Sequence, residues 1–247
     1  MLSIPGWGIG AIEILLYLFI SFMLKKMPLF TKMNTIAYYW ICMTILTGIW
    51  EMSYIYNYEE VVKMATQLIS NKTHVWTEDY SLSYVNPWKL SQIFYAEYGA
   101  WADREYMATK NDWSHFVEGT HMIFCGTFAF FGMLTRLFDN QMKSIVLIAM
   151  AMAFQLMNSI LYMVEYEIQC HDIHSVNYNN ATDFPAGSVL DKRPFMYVNL
   201  FWMIMPTYIL CYEINHVPDN YKKIENTENT KTIEDLPSYK DIDSYKS

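Results

Sequence analysis

Five long apolar stretches, separated by polar segments, dominate the pattern of hydrophobic and polar positions along this chain. They cover about residues 7–24, 36–56, 115–135, 144–164 and 194–212. Each is close to the roughly 20 residues that an α-helix needs to cross about 30 Å of hydrocarbon. Five such helices in 247 residues leave little amphipathic material to wrap them. The pattern therefore predicts an all-α polytopic membrane protein, a bundle of five transmembrane helices.

The segments around these stretches divide the chain into three parts. Residues 1–35 contain the first membrane helix and a short loop, and residues 36–214 form a four-helix membrane domain. Residues 215–247 are rich in charge and poor in apolar side chains, which predicts a disordered tail. The long loop of residues 57–113, between the second and third helices, carries many aromatic residues beside charges. We expect a short helix or reentrant cap there, at the membrane interface.

Basic residues near the first helix predict the orientation. No Lys or Arg precedes that helix, whereas Lys25, Lys26 and Lys32 follow it, so the first short loop is expected in the cytoplasm. With five spans, the N-terminus and the long loop then face the lumen, and the C-terminus faces the cytoplasm. The sequons Asn-Lys-Thr at Asn71 and Asn-Ala-Thr at Asn180 fall in loops assigned to the lumenal side. Both asparagines are candidate glycosylation sites.

Charge and spacing argue against two classes of ligand. The net charge of −8 comes largely from loops and tail, and without a basic stripe no nucleic-acid partner is expected. His115, Glu118 and His121 follow one another at steps of three, which leaves the two histidines about 120° and roughly 9 Å apart on a helix. This spacing does not favour a shared metal ion. Neither a metal nor a cofactor is expected.

Polar and aromatic side chains recur at helical spacing inside the last four stretches. The candidate site residues are Thr47, Trp50, Glu51 and Tyr54, then Glu118 and His121, then Gln155 and Tyr162, and finally Asn199 and Trp202. A lone carboxylate in hydrocarbon costs at least about 2.5–3.5 kcal/mol, so we expect Glu51 and Glu118 to turn inward and share one cavity. For Trp50, Gln155, Asn199 and Trp202, ordinary helix packing or a place in the interface belt stays open as an interpretation.

Five segments, in order along residues 36–212, resemble one known family. "LTGIWEMSYIY" ends a helix in a Glu followed by aromatics, and "LSQIFYAEYGAWADREY" has a Leu-Ser-Gln, Glu-Tyr, Asp-x-Arg-Tyr pattern with small insertions. "VEGTHMIFCG" is similar to a Val-Glu-Gly-Ile-Thr-Ala segment, and "QLMNSILYMVE" and "NLFWMIMP" complete the series. The series resembles the emopamil-binding protein family, also called the EXPERA domain, which includes the sterol Δ8–Δ7 isomerases.

The resemblance implies an isomerase of the endoplasmic reticulum membrane that moves a ring double bond by protonation, carbocation formation and deprotonation. It identifies Glu118 with the family's catalytic glutamate and Glu51 with its second-helix glutamate, and it carries over Asn199, so all three are expected to be catalytic residues. Trp202, Trp50, Thr47, Tyr54, Gln155 and Tyr162 are the expected substrate-binding residues. The implied partners are a sterol or other polycyclic lipid, lipophilic cationic amines as inhibitors, and the bilayer; a homodimer is left open.

Two positions depart from the family pattern. Thr47 stands where the isomerases have a His four residues before the second-helix Glu, and Asn111, or Asp112 after a shift of one, stands where they have an Asp. We hypothesise that His121 supplies the missing imidazole and counts among the catalytic residues. Two alternatives stay open: a non-catalytic protein that binds sterols or lipophilic amines, and another carbocation enzyme such as a membrane terpene cyclase. A purely structural membrane protein ranks last.

Overall fold

The computed structural model describes residues 2–107, 112–138, 140–178 and 195–215, and most of them are helical. The helices are α1 Gly6–Lys25, α2 Pro28–Thr31, α3 Thr35–Tyr56, α4 Tyr58–Asn71, α5 Pro87–Trp101, α6 Arg104–Met107, α7 Asp112–Thr120, α8 Thr127–Leu137, α9 Gln141–His171 and α10 Phe195–Asn215. A π-helical turn, His121–Gly126, joins α7 to α8, and a 3₁₀ turn, Leu82–Val85, precedes α5. The predicted helical architecture is confirmed, and a short antiparallel pair of strands, β1 Ser3–Pro5 and β2 Asp79–Ser81, is added to it.

Three helical segments in the described part of the chain are long and apolar enough to cross a membrane. They are Gly6–Lys25, Trp113–Leu137 and Gln141–His171. Large apolar side chains stand exposed on all three, among them Phe19, Phe131 and Val164. Many exposed large apolar side chains on one helix indicate a membrane or partner surface rather than a water-facing one. The helices α3 and α10 occupy the other two stretches for which the sequence predicts a span.

Polar residues at the helix boundaries explain where several helices begin and end. Asn34, Asn86 and Asn140 each accept a hydrogen bond of 2.9–3.2 Å from a backbone N–H in the first turn of α3, α5 or α9. Pro87 occupies the first position of α5, where its missing N–H costs nothing. Lys72 closes α4 with a left-handed backbone, φ 55°.

Side-chain bonds hold α1 against α3. Lys25 Nζ donates to the carbonyls of Phe30 and Met33 at 2.6 and 2.7 Å and so closes the loop between the two helices. Further along, the Tyr38 hydroxyl donates to the Ser21 carbonyl at 2.8 Å. The two helices therefore run antiparallel, and the pairing of β1 with β2 places the N-terminus beside the long loop at one end of the bundle.

The long loop contains α4, α5 and the four-residue α6, where the sequence predicts one short helix or reentrant cap. Helices α4 and α5 pack with the end of α3 and the start of the α7–α8 segment around a first hydrophobic core that includes Tyr54, Ile93 and Val117. A second core, including Ile41 and Met152, occupies the other end of the bundle. Between the two cores, the helices carry the polar residues that form the candidate site.

Three predicted features lie outside the described residues: the tail from residue 216, the second sequon at Asn180, and Asn111.

Candidate active-site cavity

A cavity of about 300 Å³ lies between the two cores, at the lower end of the size range of ligand sites. Eight of the ten residues predicted for the site line it: Thr47, Trp50, Glu51, Glu118, His121, Tyr162, Asn199 and Trp202. Four different helical segments supply them, so residues that are far apart in the sequence meet at one place. Val198 of α10 lines the cavity and is also 59% exposed, which shows that the cavity reaches the outer surface of the bundle beside α10.

A close helix crossing brings two of these segments together. A Cβ on Gly48 of α3 would lie 3.1 Å from the Cα of Gly126, and a Cβ on Gly126 would lie 3.1 Å from the Cα of Gly48. Because neither residue has a side chain, the two backbones can approach to this distance. Glu51 lies one turn beyond Gly48, and His121 lies at the other end of the π turn from Gly126, so the crossing sets how far apart the side chains of Glu51 and His121 stand.

Glu51 and His121 form a close carboxyl–imidazole contact in the cavity wall. The distance from His121 Nδ1 to Glu51 Oε1 is 2.5 Å, and the two residues are 8% and 5% exposed. The ring N–H does not point straight at this oxygen, so the pair is held by proximity rather than by a linear hydrogen bond. Such misalignment is common in catalytic pairs before a substrate is bound.

Besides Nδ1 of His121, two buried atoms of the cavity wall have no hydrogen-bond partner among the described residues. They are Oε2 of Glu51 and Nε1 of Trp50. A buried polar atom without a partner costs about 1–3 kcal/mol, so such atoms are rare in native structures. One is an acceptor and the other is a donor, and both belong to residues that line the cavity. A polar group of a bound molecule, or a water molecule, would satisfy either of them.

Glu118 occupies another part of the wall. It is 9% exposed, and its Oε2 accepts a hydrogen bond of 3.3 Å from the Tyr95 hydroxyl of α5. Burial raises the pKa of Tyr95 well above the ordinary value, and the neighbouring carboxyl groups of Glu118 and Glu51 raise it further. Tyr95 therefore stays protonated and can act as a donor over the whole physiological pH range.

Aromatic rings form much of the remaining surface. The Trp202 ring lies edge-on to the His121 ring, with centroids 6.4 Å apart, and packs on Trp40 at 4.9 Å. The Trp50 ring packs against Phe94 of α5 at 5.6 Å. Indole faces attract cations, most strongly where water is excluded. The cavity thus combines two carboxyl groups with aromatic surfaces that suit a positively charged species.

A hydrogen-bonded network closes the end of the cavity near the long loop. Asn199 Nδ2 donates to the Tyr98 hydroxyl at 3.2 Å, and the Tyr98 and Tyr162 hydroxyls lie 2.5 Å apart. The Tyr162 hydroxyl also donates to Oδ2 of Asp103, which is fully buried, at 3.1 Å. Burial, with Asp103 nearby, raises the pKa of Tyr98. The network holds Asn199 in place and joins α10 to α5 and α9.

Two predicted site residues lie behind the cavity wall instead of on it. Tyr54 belongs to the first core, where its ring stacks on that of Tyr95 at 4.5 Å. Gln155 is fully buried and hydrogen-bonded to neighbouring side chains. His115 packs against Tyr58 in the same core, with ring centroids 4.0 Å apart, and does not line the cavity. In the described ranges no cluster of three or more His, Cys, Asp or Glu side chains could hold a metal ion.

Sequence reasoning missed the contribution of α5. Phe94, Tyr95 and Tyr98 line the cavity from this helix, which belongs to the predicted interface segment rather than to a predicted span. Their spacing of three and four residues puts the rings on one face, a signal that was available in the sequence. Val117, Asn158, Ser159 and Val198 complete the lining.

Comparisons with known proteins add no relative from which a function could be transferred. No protein-family model, no curated protein and no solved structure matches this chain.

Proposed function

We propose that this protein is a multi-pass membrane isomerase that moves a ring double bond in a sterol, in the manner of the Δ8–Δ7 isomerases it resembles. The observation that supports this proposal best is the meeting of Glu51 and Glu118, from separate helical segments, in the wall of one largely apolar cavity. An acid and a base that face the same rigid hydrocarbon are what a double-bond shift requires. Trp202 and Trp50 add aromatic surface for a cationic intermediate.

The proposed arrangement has five spans, with α3 and α10 crossing the bilayer beside the three segments of clearest apolar character. The N-terminus and the long loop face the lumen of the endoplasmic reticulum, and the C-terminus faces the cytoplasm. The strand pair β1–β2 supports this, because it puts the N-terminus and the long loop at one end, as five spans require. Lys25, Lys26 and Lys32 follow α1 at the opposite end, in agreement with the distribution of basic residues in membrane proteins.

In the proposed reaction the protein moves one proton onto the ring system and one proton off it. Glu118 donates a proton to one alkene carbon, and the π electrons form the new C–H bond. The neighbouring carbon becomes a tertiary cation, which Trp202 faces. Glu51 then takes a proton from the carbon on the far side of the cation, and the electrons of that C–H bond form the new double bond. Proton exchange between the acids and water restores the first state. General acid–base help of this kind contributes about 10²–10⁴-fold.

His121 can supply the imidazole that is missing at Thr47. The family isomerases place an imidazole four residues before the second-helix glutamate, and this chain has Thr47 there. His121 brings an imidazole to within 2.5 Å of Glu51 from the other side of the helix crossing. We infer that it takes over the supporting role next to this carboxyl group. Thr47 lines the same cavity and would contact the substrate.

The route to the cavity is proposed to run from the lipid. Val198 lines the cavity and is largely exposed on a helix that we place in the membrane. A sterol could therefore enter sideways from the bilayer with its rings first, leaving its flexible chain toward the lipid. A lipophilic amine would follow the same route, and its ammonium group would take the place of the cation.

A sterol- or amine-binding protein without catalytic activity is the second candidate. Thr47 favours it, since the residue at this position cannot carry a proton as imidazole does. The two candidates make opposite predictions for a fungal strain whose own Δ8–Δ7 isomerase is deleted and in which this chain is expressed. An isomerase restores Δ7 sterols, and a binding protein leaves Δ8 sterols in place while it still binds amines.

The decisive variants are Glu118→Gln and Glu51→Gln, which preserve shape and remove the proton-transfer group. Glu167→Gln is the matched control, because Glu167 lies on α9 with an exposed side chain outside the cavity. We expect Δ7 sterols with the wild type and the control, and a loss of at least about 10²-fold with each cavity variant. Restoration of Δ7 sterols by both cavity variants would rule out the proposed chemistry.

A further inference from the structure

Two residues that do not line the cavity, Trp40 and Gln155, are arranged so that they orient the His121 ring. Gln155 is fully buried on α9 and lies between α3 and the π turn. Its Oε1 accepts a hydrogen bond of 2.8 Å from Trp40 Nε1. Its Nε2 lies 3.4 Å from Thr44 Oγ1 and 3.3 Å from His121 Nε2.

The orientation of the Gln155 amide is set at both ends. The indole N–H of Trp40 can only donate, so the amide atom facing it must be the oxygen. The Thr44 hydroxyl donates its hydrogen to the Trp40 carbonyl at 3.0 Å, so toward Gln155 the Thr44 oxygen can only accept. A flipped amide would put two donors against each other at one end and two acceptors at the other. The NH₂ group therefore faces Thr44 and His121.

This orientation determines where His121 carries its proton. Because the Gln155 NH₂ group donates to His121 Nε2, that nitrogen must offer a lone pair. A neutral imidazole has one protonated nitrogen, so the proton is on Nδ1, the nitrogen that lies 2.5 Å from Glu51 Oε1. The Cys125 thiol also lies beside the ring, and as a weak donor and weak acceptor it imposes neither tautomer.

We propose that Trp40 and Gln155 are positioning residues, which hold His121 as the neutral tautomer with its proton on Nδ1, the nitrogen beside Glu51. Trp40 also contacts the cavity wall directly, since its ring packs against that of Trp202. A protonated Nε2 would face the Gln155 NH₂ group, so the same arrangement disfavours a charged His121. The consequence for catalysis rests on the proposed isomerase function, whereas the tautomer of His121 does not.

The test is ¹⁵N NMR of the full-length protein in lipid nanodiscs, with labelled histidine and with His121→Gln to assign the signals. In the wild type, we expect an unprotonated Nε2 and a protonated Nδ1. Gln155→Glu keeps the size of the side chain and the bond from Trp40, but it places an acceptor against His121 Nε2, so Nε2 should become protonated. Trp40→Phe removes the donor that orients the amide and should give a mixture of both tautomers.

A matched control is available on the same helix. Gln169 is a buried glutamine on α9 whose amide bonds to Asn177 and Glu165, away from the cavity. Gln169→Glu should leave the His121 signals unchanged, which separates the local effect from a general loss of packing. In the sterol assay, Gln155→Glu should lower isomerase activity by about 10–100-fold, the size of effect that partners orienting metal-binding histidines have.

The outcomes separate this proposal from the proposed function. A wild-type His121 with a protonated Nε2, or ring signals that Gln155→Glu and Trp40→Phe both leave unchanged, would overturn it even in a fully active enzyme. The expected tautomer and its reversal in Gln155→Glu would support it even if the wild type forms no Δ7 sterol, in which case only the isomerase proposal fails.

Discussion

The crossing of Gly48 and Gly126 gives a direct test of how the fold builds the site. In Gly48→Ala, the new Cβ would lie 3.1 Å from the Cα of Gly126, and the backbones must separate by about 0.3 Å to reach an ordinary contact. Overpacking of this kind costs about 1–3 kcal/mol, offset by up to about 1 kcal/mol from the higher helix propensity of Ala. Gly119→Ala is the matched control, because its Cβ would meet Ile55 Cδ1 at an ordinary 3.7 Å.

The comparison of these two variants isolates the packing cost, since both gain the same helix propensity. At about 2–4 °C per kcal/mol for a chain of this size, Gly48→Ala should melt roughly 2–12 °C below Gly119→Ala in a detergent thermal-shift assay. The separation also moves Glu51 away from His121. A misplacement of 1 Å can cost about 10²-fold in rate, so a shift of about 0.3 Å should lower Δ7 sterol formation several-fold. Equal melting temperatures and equal sterol profiles for both variants would show that the crossing does not position this pair.

Two further predictions concern the aromatic wall and the topology. Trp202→Leu should weaken the binding of a lipophilic tertiary amine by about 2 kcal/mol, or roughly 30-fold in Kd, and the binding of its uncharged carbon analogue much less. Equal losses of affinity for both ligands in a radioligand competition assay would argue against a cation–π contact. Asn71, exposed at the end of α4, should carry a glycan, seen on a gel as a slower band that endoglycosidase H treatment or Asn71→Gln removes. An unmodified Asn71, together with glycosylation of a sequon inserted after Lys26, would show that the orientation is the reverse of the proposed one.

The membrane helices could be predicted from the sequence because each is specified by residues that are close together in the chain. A lipid-facing helix is a continuous apolar stretch of fixed length, and α1 and α3 begin and end within one residue of the predicted 7–24 and 36–56. The paired strands were missed, since β1 and β2 have three residues each and contact each other across more than 70 positions of sequence. Such short pairing leaves no periodic pattern in either strand.

The candidate site was predictable to the extent that helical spacing and the cost of burying charge decide it. Glu51 and Glu118 had to face the interior, and both line the cavity. Whether Gln155 and Tyr54 line the cavity depends on the rotation of each helix about its own axis. The spacing of polar residues along a single helix does not specify this rotation. The same spacing is compatible with a side chain in the cavity wall and with one packed behind the wall, where Gln155 and Tyr54 lie.

The π turn is the feature that sequence periodicity could least provide. In an unbroken α-helix, the eight residues from Glu118 to Gly126 would rotate about 80° past two full turns, so the two residues would face different neighbours. A π turn absorbs about one residue, or about 100°, and returns Gly126 to the face of Glu118. Gly126 can then meet Gly48 while Glu118 and His121 still face the cavity. The single inserted residue thus lets one helix supply both the close crossing and two functional side chains, and a search for regular 3.6-residue spacing has no means of finding it.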